Sequence, residues 1–237
     1  MSKYNVLCVL TMQILIFVLI FQNKKMKKIK NIILDYGDVI FMIDFLKMEA
    51  AFSELGIKNV RDYYGHRAQT KLFDEFEQGQ ISSQDFREGI RNISGIFSLT
   101  DDQIDSAWNA MLLGIPEGNH DLLLALKNKY RLFLLSNNNE IHYNWIMKYL
   151  KSKFNLDGNA SFFEKDYYSH LMGMRKPNAN IFEYVLSQHG LKPDETVFID
   201  DSPQHLKTAE GLGLQTYLLT KPDTLQALLG REGFLEK

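Results

Sequence analysis

Four short segments of this 237-residue chain carry side chains that can attack, bind or polarise. Asp35-Tyr36-Gly37-Asp38-Val39 sets a carboxylate behind the apolar run Asn31-Ile32-Ile33-Leu34. Leu135-Ser136-Asn137-Asn138-Asn139 supplies a hydroxyl and amides, Gly173-Met174-Arg175-Lys176-Pro177 a lysine, and Phe198-Ile199-Asp200-Asp201-Ser202 two adjacent acids. Adjacent carboxylates repel each other without a cation between them. Hard oxygen ligands of this kind favour Mg2+, which keeps several waters and binds through few carboxylates. Phosphoryl transfer needs a nucleophile, a divalent cation, donors for the phosphoryl oxygens and a positive charge to balance the transition state, and the four segments hold one of each kind.

Such groups act only if the fold brings them together. Asn31-Ile32-Ile33-Leu34-Asp35 reads as a strand buried on both faces, the sort found in parallel sheets. The same shape recurs at Arg131 to Leu135, Thr196 to Ile199 and Gln215 to Leu219. Helical patterns lie beside these runs at Asp121 to Lys129, Glu140 to Lys151, Ala179 to Gln188 and Pro203 to Gly211. The alternation predicts an α/β fold, a Rossmann-like doubly wound parallel sheet, in which ligands sit off the carboxyl ends of the strands. Those ends carry Asp35, Ser136 and Asp200-Asp201.

Between about Phe45 and Pro116 the alternation lapses. Leu46 to Leu55, Ala68 to Gln78, Ser83 to Ile93 and Asp101 to Leu113 read as amphipathic helices with no strands between them, and Thr100 and Gln103 form a capping box for the last. An all-helical cap inserted after the first strand follows. The expected organisation is an apolar segment at 1–25, a Rossmann-like catalytic core at 26–45 and 116–237, and a helical cap at 46–115.

In order and setting the four segments resemble the four motifs of the haloacid dehalogenase superfamily, specifically its phosphatases with a helical cap between the first two motifs. The resemblance covers about Lys28 to Lys221. It is nearest to the bacterial branch typified by alpha-D-glucose-1-phosphate phosphatase, through Asp35-Tyr36-Gly37, Val39-Ile40, Ile43-Asp44-Phe45, Glu77-Gln78-Gly79-Gln80-Ile81-Ser82 and Gly173-Met174-Arg175-Lys176-Pro177. It implies that Asp35 is the nucleophile, forming an aspartyl-phosphate, and that Lys176 neutralises charge on phosphate and nucleophile. Ser136 and the Asn137 backbone amide would bind the phosphoryl oxygens. Asp35, the Gly37 carbonyl oxygen and Asp201 would hold Mg2+, with Asp200 binding through water or orienting Lys176. Read without the resemblance, Asp35 could cap a turn, Gly37 be a plain turn glycine, Ser136 an N-cap and Lys176 a solvated lysine before a helix.

One departure matters. Many phosphatases of the superfamily carry a second aspartate two residues after the nucleophile as general acid and base. Here that position is Gly37, and Asp38 falls one residue too late to point the same way along an extended backbone. The glucose-1-phosphate phosphatase branch also looks to have glycine there, and a hemiacetal leaving group lessens the need for an acid. The expected function is a Mg2+-dependent hydrolysis of a small phosphomonoester, foremost a sugar phosphate. Alternatives are a dehalogenase using the same aspartate on carbon, and a phospho-ligand-binding protein that has lost turnover. In the cap, Glu77, Trp108 and Asn109 could face the substrate, although tryptophan there is more often core. None of the six histidines has zinc-site spacing, and His142 and His205 read as solvated bystanders.

Composition narrows the remaining choices. With 27 Lys+Arg against 29 Asp+Glu, the chain has no general nucleic-acid footprint, and with Cys8 alone it can form neither an intrachain disulfide nor a cysteine zinc site. Met1 to Lys25 hold three lysines and no acid, leaving a charge of -5 on Met26 to Lys237. Val6 to Phe21 is a sixteen-residue apolar run broken only by Thr11 and Gln13. As a helix it would rise about 24 Å, short of the roughly 30 Å hydrocarbon core of a bilayer. Three readings fit: an uncleaved anchor, a natural start at Met26, and, least well, a cleaved signal. Lysines following the run would stay on the cytoplasmic side, so the expected location is cytoplasmic, tethered to the inner face of the membrane if residues 6–21 anchor. The expected partners are a small phosphorylated substrate, no nucleic acid, and a membrane only through that anchor, in a monomer or homodimer.

Overall fold

The computed structural model describes residues 29–58, 60, 64–65, 68–69 and 71–235. The apolar run at 6–21, and with it the reading of residues 1–25, lies outside them. Among the described residues no helix is long and apolar enough to cross a membrane.

The chain begins with β1 (Asn31–Leu34) and β2 (Met42–Ile43), followed by α1 (Phe45–Glu54), β3 (Tyr64–Gly65), β4 (Ala68–Gln69), α2 (Lys71–Glu77), α3 (Ser83–Ser94), α4 (Asp101–Asn109) and β5 (Leu112–Gly114). It continues with α5 (Asn119–Lys127), β6 (Arg131–Ser136), α6 (Glu140–Phe154), β7 (Lys165–Tyr168) and α7 (Ser169–Met172). It closes with α8 (Ala179–His189), β8 (Thr196–Asp200), α9 (Pro203–Gly211), β9 (Gln215–Leu218) and α10 (Leu225–Arg231).

A parallel five-stranded sheet in the order β7-β6-β1-β8-β9 forms the centre. The β1 strand is buried over its whole length. Its side chains alternate between faces, as the two-residue period of a strand requires. Ile32 and Leu34 pack with Leu123 and Leu126 of α5, Leu150 of α6 and Leu229 of α10, whereas Ile33 packs with Phe182 and Val185 of α8 and Ala209 of α9. Helices therefore cover both faces. Leu34 stands in register with Leu134 of β6 and Ile199 of β8, so the residues that follow emerge side by side at one edge.

Between β2 and β5 the helices α1 to α4 enclose their own apolar cluster around Met48, Phe52, Phe73, Phe86 and Trp108. The Thr100–Gln103 capping box has both of its bonds, and Ser82 and Asp85 make a second one at the start of α3. The insert is not all-helical. Ala68–Gln69 pairs antiparallel with Tyr64–Gly65, and α2 begins only at Lys71. Likewise α4 stops at Asn109 instead of Leu113, because Leu112–Gly114 turns back to pair with Met42–Ile43. This two-stranded ribbon is where the chain enters and leaves the insert. The edge strand β7 carries no continuous apolar run, having Lys165 and Asp166 ahead of its two tyrosines, and its sequence pattern does not announce it.

Candidate active site

Asp35 leaves the end of β1 with its backbone amide bonded to the Ile199 carbonyl oxygen (2.9 Å), which sets it beside Asp200 at the end of β8. Carboxylate oxygens of Asp35, Asp200 and Asp201 all lie within 4.8 Å of one another. Lys176 reaches this cluster from the loop before α8. Its Nζ donates to Asp35 Oδ1 at 2.6 Å and to Asp200 Oδ2 at 2.7 Å, and its side chain is fully buried. A buried lysine is tolerated only with such partners. Although burial alone lowers the Lys176 pKa, Asp200 and Asp35 outweigh it and raise the pKa above its ordinary value.

The three acids are not equivalent. Asp200 is saturated by protein donors: Ser202 N at 2.8 Å, His205 Nδ1 at 2.9 Å and Lys176 Nζ. Burial raises its pKa, but the charge of Lys176 and the bond from His205 prevail and bring it down to about 2. Burial pushes Asp35 up to about 6 against the pull of Lys176. Asp201 is pushed up to about 8 by burial and by the charges of Asp35 and Asp200. The cluster thus holds more negative charge than its single lysine can balance, and that imbalance sits on Asp35 and Asp201. Asp200, engaged with Lys176 and His205, is placed to orient the lysine.

On the other side of β1, Ser136 ends β6 and is buried. Asn137 does more than offer a backbone amide. Its side-chain oxygen accepts from Lys176 N and its side-chain nitrogen donates to Lys176 O, both at 2.9 Å, so the two loops are tied at the lysine's own backbone. Ser136, Asn137 and Gly37 all line one cavity beside the cluster.

Gly37 bears no side chain, and a Cβ there would come within 3.3 Å of Ile43 Cδ1. Asp38 turns away, for a reason other than an extended backbone. It adopts a left-handed conformation (φ 53°), which aspartate tolerates better than most residues. Its carboxylate accepts from Ile43 N at 3.0 Å and lies 2.9 Å from Lys221 Nζ.

Two histidines depart from the sequence reading. His205, at the third position of α9 behind Pro203, holds Asp200 and is no bystander. His142 is buried, stacked on the Trp108 ring with centroids 4.7 Å apart. Its Nε2 lies 3.1 Å from Trp108 O and its Nδ1 lies 3.1 Å from Asn139 Nδ2, while Trp108 Nε1 donates to Asn139 Oδ1 at 3.3 Å. A carbonyl oxygen accepts only, so Nε2 carries the hydrogen and Nδ1 accepts from the amide. Trp108 belongs to the insert core, and Glu77 lines the cavity. Asn109 Oδ1 is buried with no hydrogen-bond partner among the described residues, and Asn109 is not among the described residues lining that cavity.

The sequence matches the family of haloacid dehalogenase-like hydrolases over residues 29–213. D-ribitol-5-phosphate phosphatase of Bacteroides thetaiotaomicron is 30% identical over 191 residues, covering 80% of this chain and 91% of that protein. A haloacid dehalogenase family enzyme from the same species, crystallised as an aspartate-to-alanine variant with magnesium and inorganic phosphate, superposes with a TM-score of 0.79 at 36% identity, covering 85% of this chain and 98% of that one. A predicted HAD-like family hydrolase from Porphyromonas gingivalis superposes with a TM-score of 0.77 at 33% identity, covering 88% and 98%.

Proposed function

The chain belongs to the haloacid dehalogenase-like hydrolases, and from that footing we propose that it is a Mg2+-dependent phosphatase of a small polyol or sugar phosphate, working through an aspartyl-phosphate on Asp35. The observation that carries the proposal is the pairing of Asp35 with the buried Lys176 inside a cluster of three carboxylates. The relative's action on D-ribitol 5-phosphate supports the substrate class.

The donor set fits a divalent cation. Asp35 and Asp201 offer hard oxygens, both hold pKa values raised by burial and by neighbouring carboxylates, and added positive charge would relieve both. These two residues and the Gly37 carbonyl oxygen would hold Mg2+, which when bound neutralises charge on the transferring phosphoryl group.

The chain's own residues do the rest. Lys176 holds Asp35 Oδ1, leaving Oδ2 as the oxygen that attacks phosphorus while the bond to the leaving oxygen breaks. Ser136 and the Asn137 amide receive the phosphoryl oxygens, and Lys176 balances their charge. Water then attacks phosphorus, freeing phosphate and restoring the Asp35 carboxylate. With glycine at position 37 and Asp38 engaged elsewhere, the leaving oxygen takes its proton from water, which favours less basic leaving groups. Residues 46–115 act as the cap over this site. A haloacid would meet three carboxylates against one lysine, which counts against carbon as the electrophile.

The test is phosphate release by the purified chain from a panel of polyol and sugar phosphates with Mg2+. Asp35→Asn and a chelator should each abolish it, a loss of at least about 1000-fold for the variant. Equal release by Asp35→Asn and wild type would sink the mechanism.

A further inference from the structure

The cavity is where the non-phosphoryl part of a substrate would lie, since its lining includes Gly37, Ser136 and Asn137, the residues read above as receiving the metal and the phosphoryl oxygens. Its walls are mostly apolar or amide, including Ile43, Met111 and Ile146. Glu77, at the end of α2, is the one acidic or basic side chain among the described lining residues apart from His142, whose pKa is lowered to about 4 by burial. Glu77 is buried.

Glu77 is held in place from two directions. Arg175 sets Nη2 at 2.9 Å and Nε at 3.1 Å from Glu77 Oε2, and the same guanidinium lies 2.8 Å from Asp74. The Ser169 hydroxyl donates to the Glu77 carbonyl oxygen at 2.6 Å and accepts from Asn138 N at 2.8 Å, joining the end of α2 to the loop after β6. One guanidinium thus lies against two carboxylates, and its Nη2 and Nε contacts to Glu77 both fall on Oε2. Arg175 also precedes Lys176 in the chain.

Resting on the phosphatase reading, we propose that Glu77 is a specificity-determining residue: its carboxylate receives a hydroxyl of a neutral, polyhydroxylated leaving group and turns away leaving groups that carry a second negative charge. Arg175 is its positioning residue. A carboxylate accepts hydrogen bonds and donates none, so a hydroxyl satisfies it whereas another anion is repelled. A buried site built around a polar group rejects ligands that leave the group unpaired.

The experiment compares wild type with Glu77→Gln on three kinds of substrate under Mg2+: the best polyol or sugar phosphate of a panel, 2-phosphoglycolate, and p-nitrophenyl phosphate. For Glu77→Gln, kcat/KM on the polyol or sugar phosphate should fall about tenfold or more, mostly through KM. Activity on 2-phosphoglycolate should rise, and the loss on p-nitrophenyl phosphate, whose leaving group offers no aliphatic hydroxyl, should be several-fold smaller than that on the polyol or sugar phosphate. Should Glu77→Gln fail to fold, Glu77→Asp, with the carboxylate withdrawn by one methylene, should lose the polyol preference without the gain on 2-phosphoglycolate. A uniform loss on all three substrates, or an unchanged ranking, overturns the inference while leaving the phosphatase reading intact. A wild type inactive on all three overturns both.

Discussion

His142 shows how little of a side chain's role its sequence neighbours reveal. Asn139 stands only three residues before it and caps the same helix, but Trp108, whose ring covers it, comes from a helix of the insert. Burial lowers its pKa to about 4. Above pH 6.5 both folded and unfolded chains carry it neutral; between 6.5 and 4 the unfolded chain takes up a proton that the folded one refuses, so stability falls as pH falls through that window. The full effect is on the order of 3 kcal/mol, reached near pH 4. Urea unfolding of His142→Gln should therefore lose less stability than wild type between pH 7 and pH 4, and parallel profiles would disprove the account. The residues placed at strand ends were easier to read. Asp35, Ser136 and Asp201 are each fixed by the register of a short apolar run, which a sequence displays. The reach of His205 to Asp200, or of Arg175 to Asp74 and Glu77, depends on neighbours about one helix turn or many residues away, and no local pattern records it.

Elements were legible in proportion to how strongly their own residues specify them. The central strands announce themselves because burial on both faces demands an unbroken apolar run, and α4 begins where its capping box says it should. The edge strand β7 and the two-stranded ribbons are made by pairing rather than by composition, and the pairing of β5 with β2 cuts α4 short at Asn109. The turn after α2 depends on contact in the same way. Gly79 has φ 64°, and a Cβ there would stand 2.1 Å from the His170 carbonyl oxygen of α7. A left-handed alanine and a forced separation of two backbones together cost on the order of 2–5 kcal/mol. Gly79→Ala should accordingly lower the thermal midpoint by several degrees and loosen Glu77 from the cavity; a midpoint within about one degree of wild type would contradict that contact.

At the scale of the whole molecule, the packing of the described residues begins with Ile29, which lies against the core under the sheet. Lys30 N bonds Glu195 O at 2.9 Å, and the Asn31 side chain donates to Thr196 Oγ1 at 3.0 Å, closing the amino-terminal edge of β1 against β8. A chain lacking residues 1–25 should keep its thermal midpoint within about two degrees and its activity within about twofold. Differential scanning calorimetry and phosphate release check this, and failure to fold would mean that the first residues complete the core. The ribbon of β2 and β5 has a further meaning for anyone redesigning the protein. Met42 faces Gly114 across one ladder, so the chain leaves the sheet and returns to it at neighbouring points. Everything between them could be exchanged for a different lid, or for a two-residue hairpin, without stretching the strand that carries Asp35. The splice is single along the chain but not in space: Arg175 and Ser169, outside the insert, hold Glu77 inside it, so a replacement would have to bring its own partners for them.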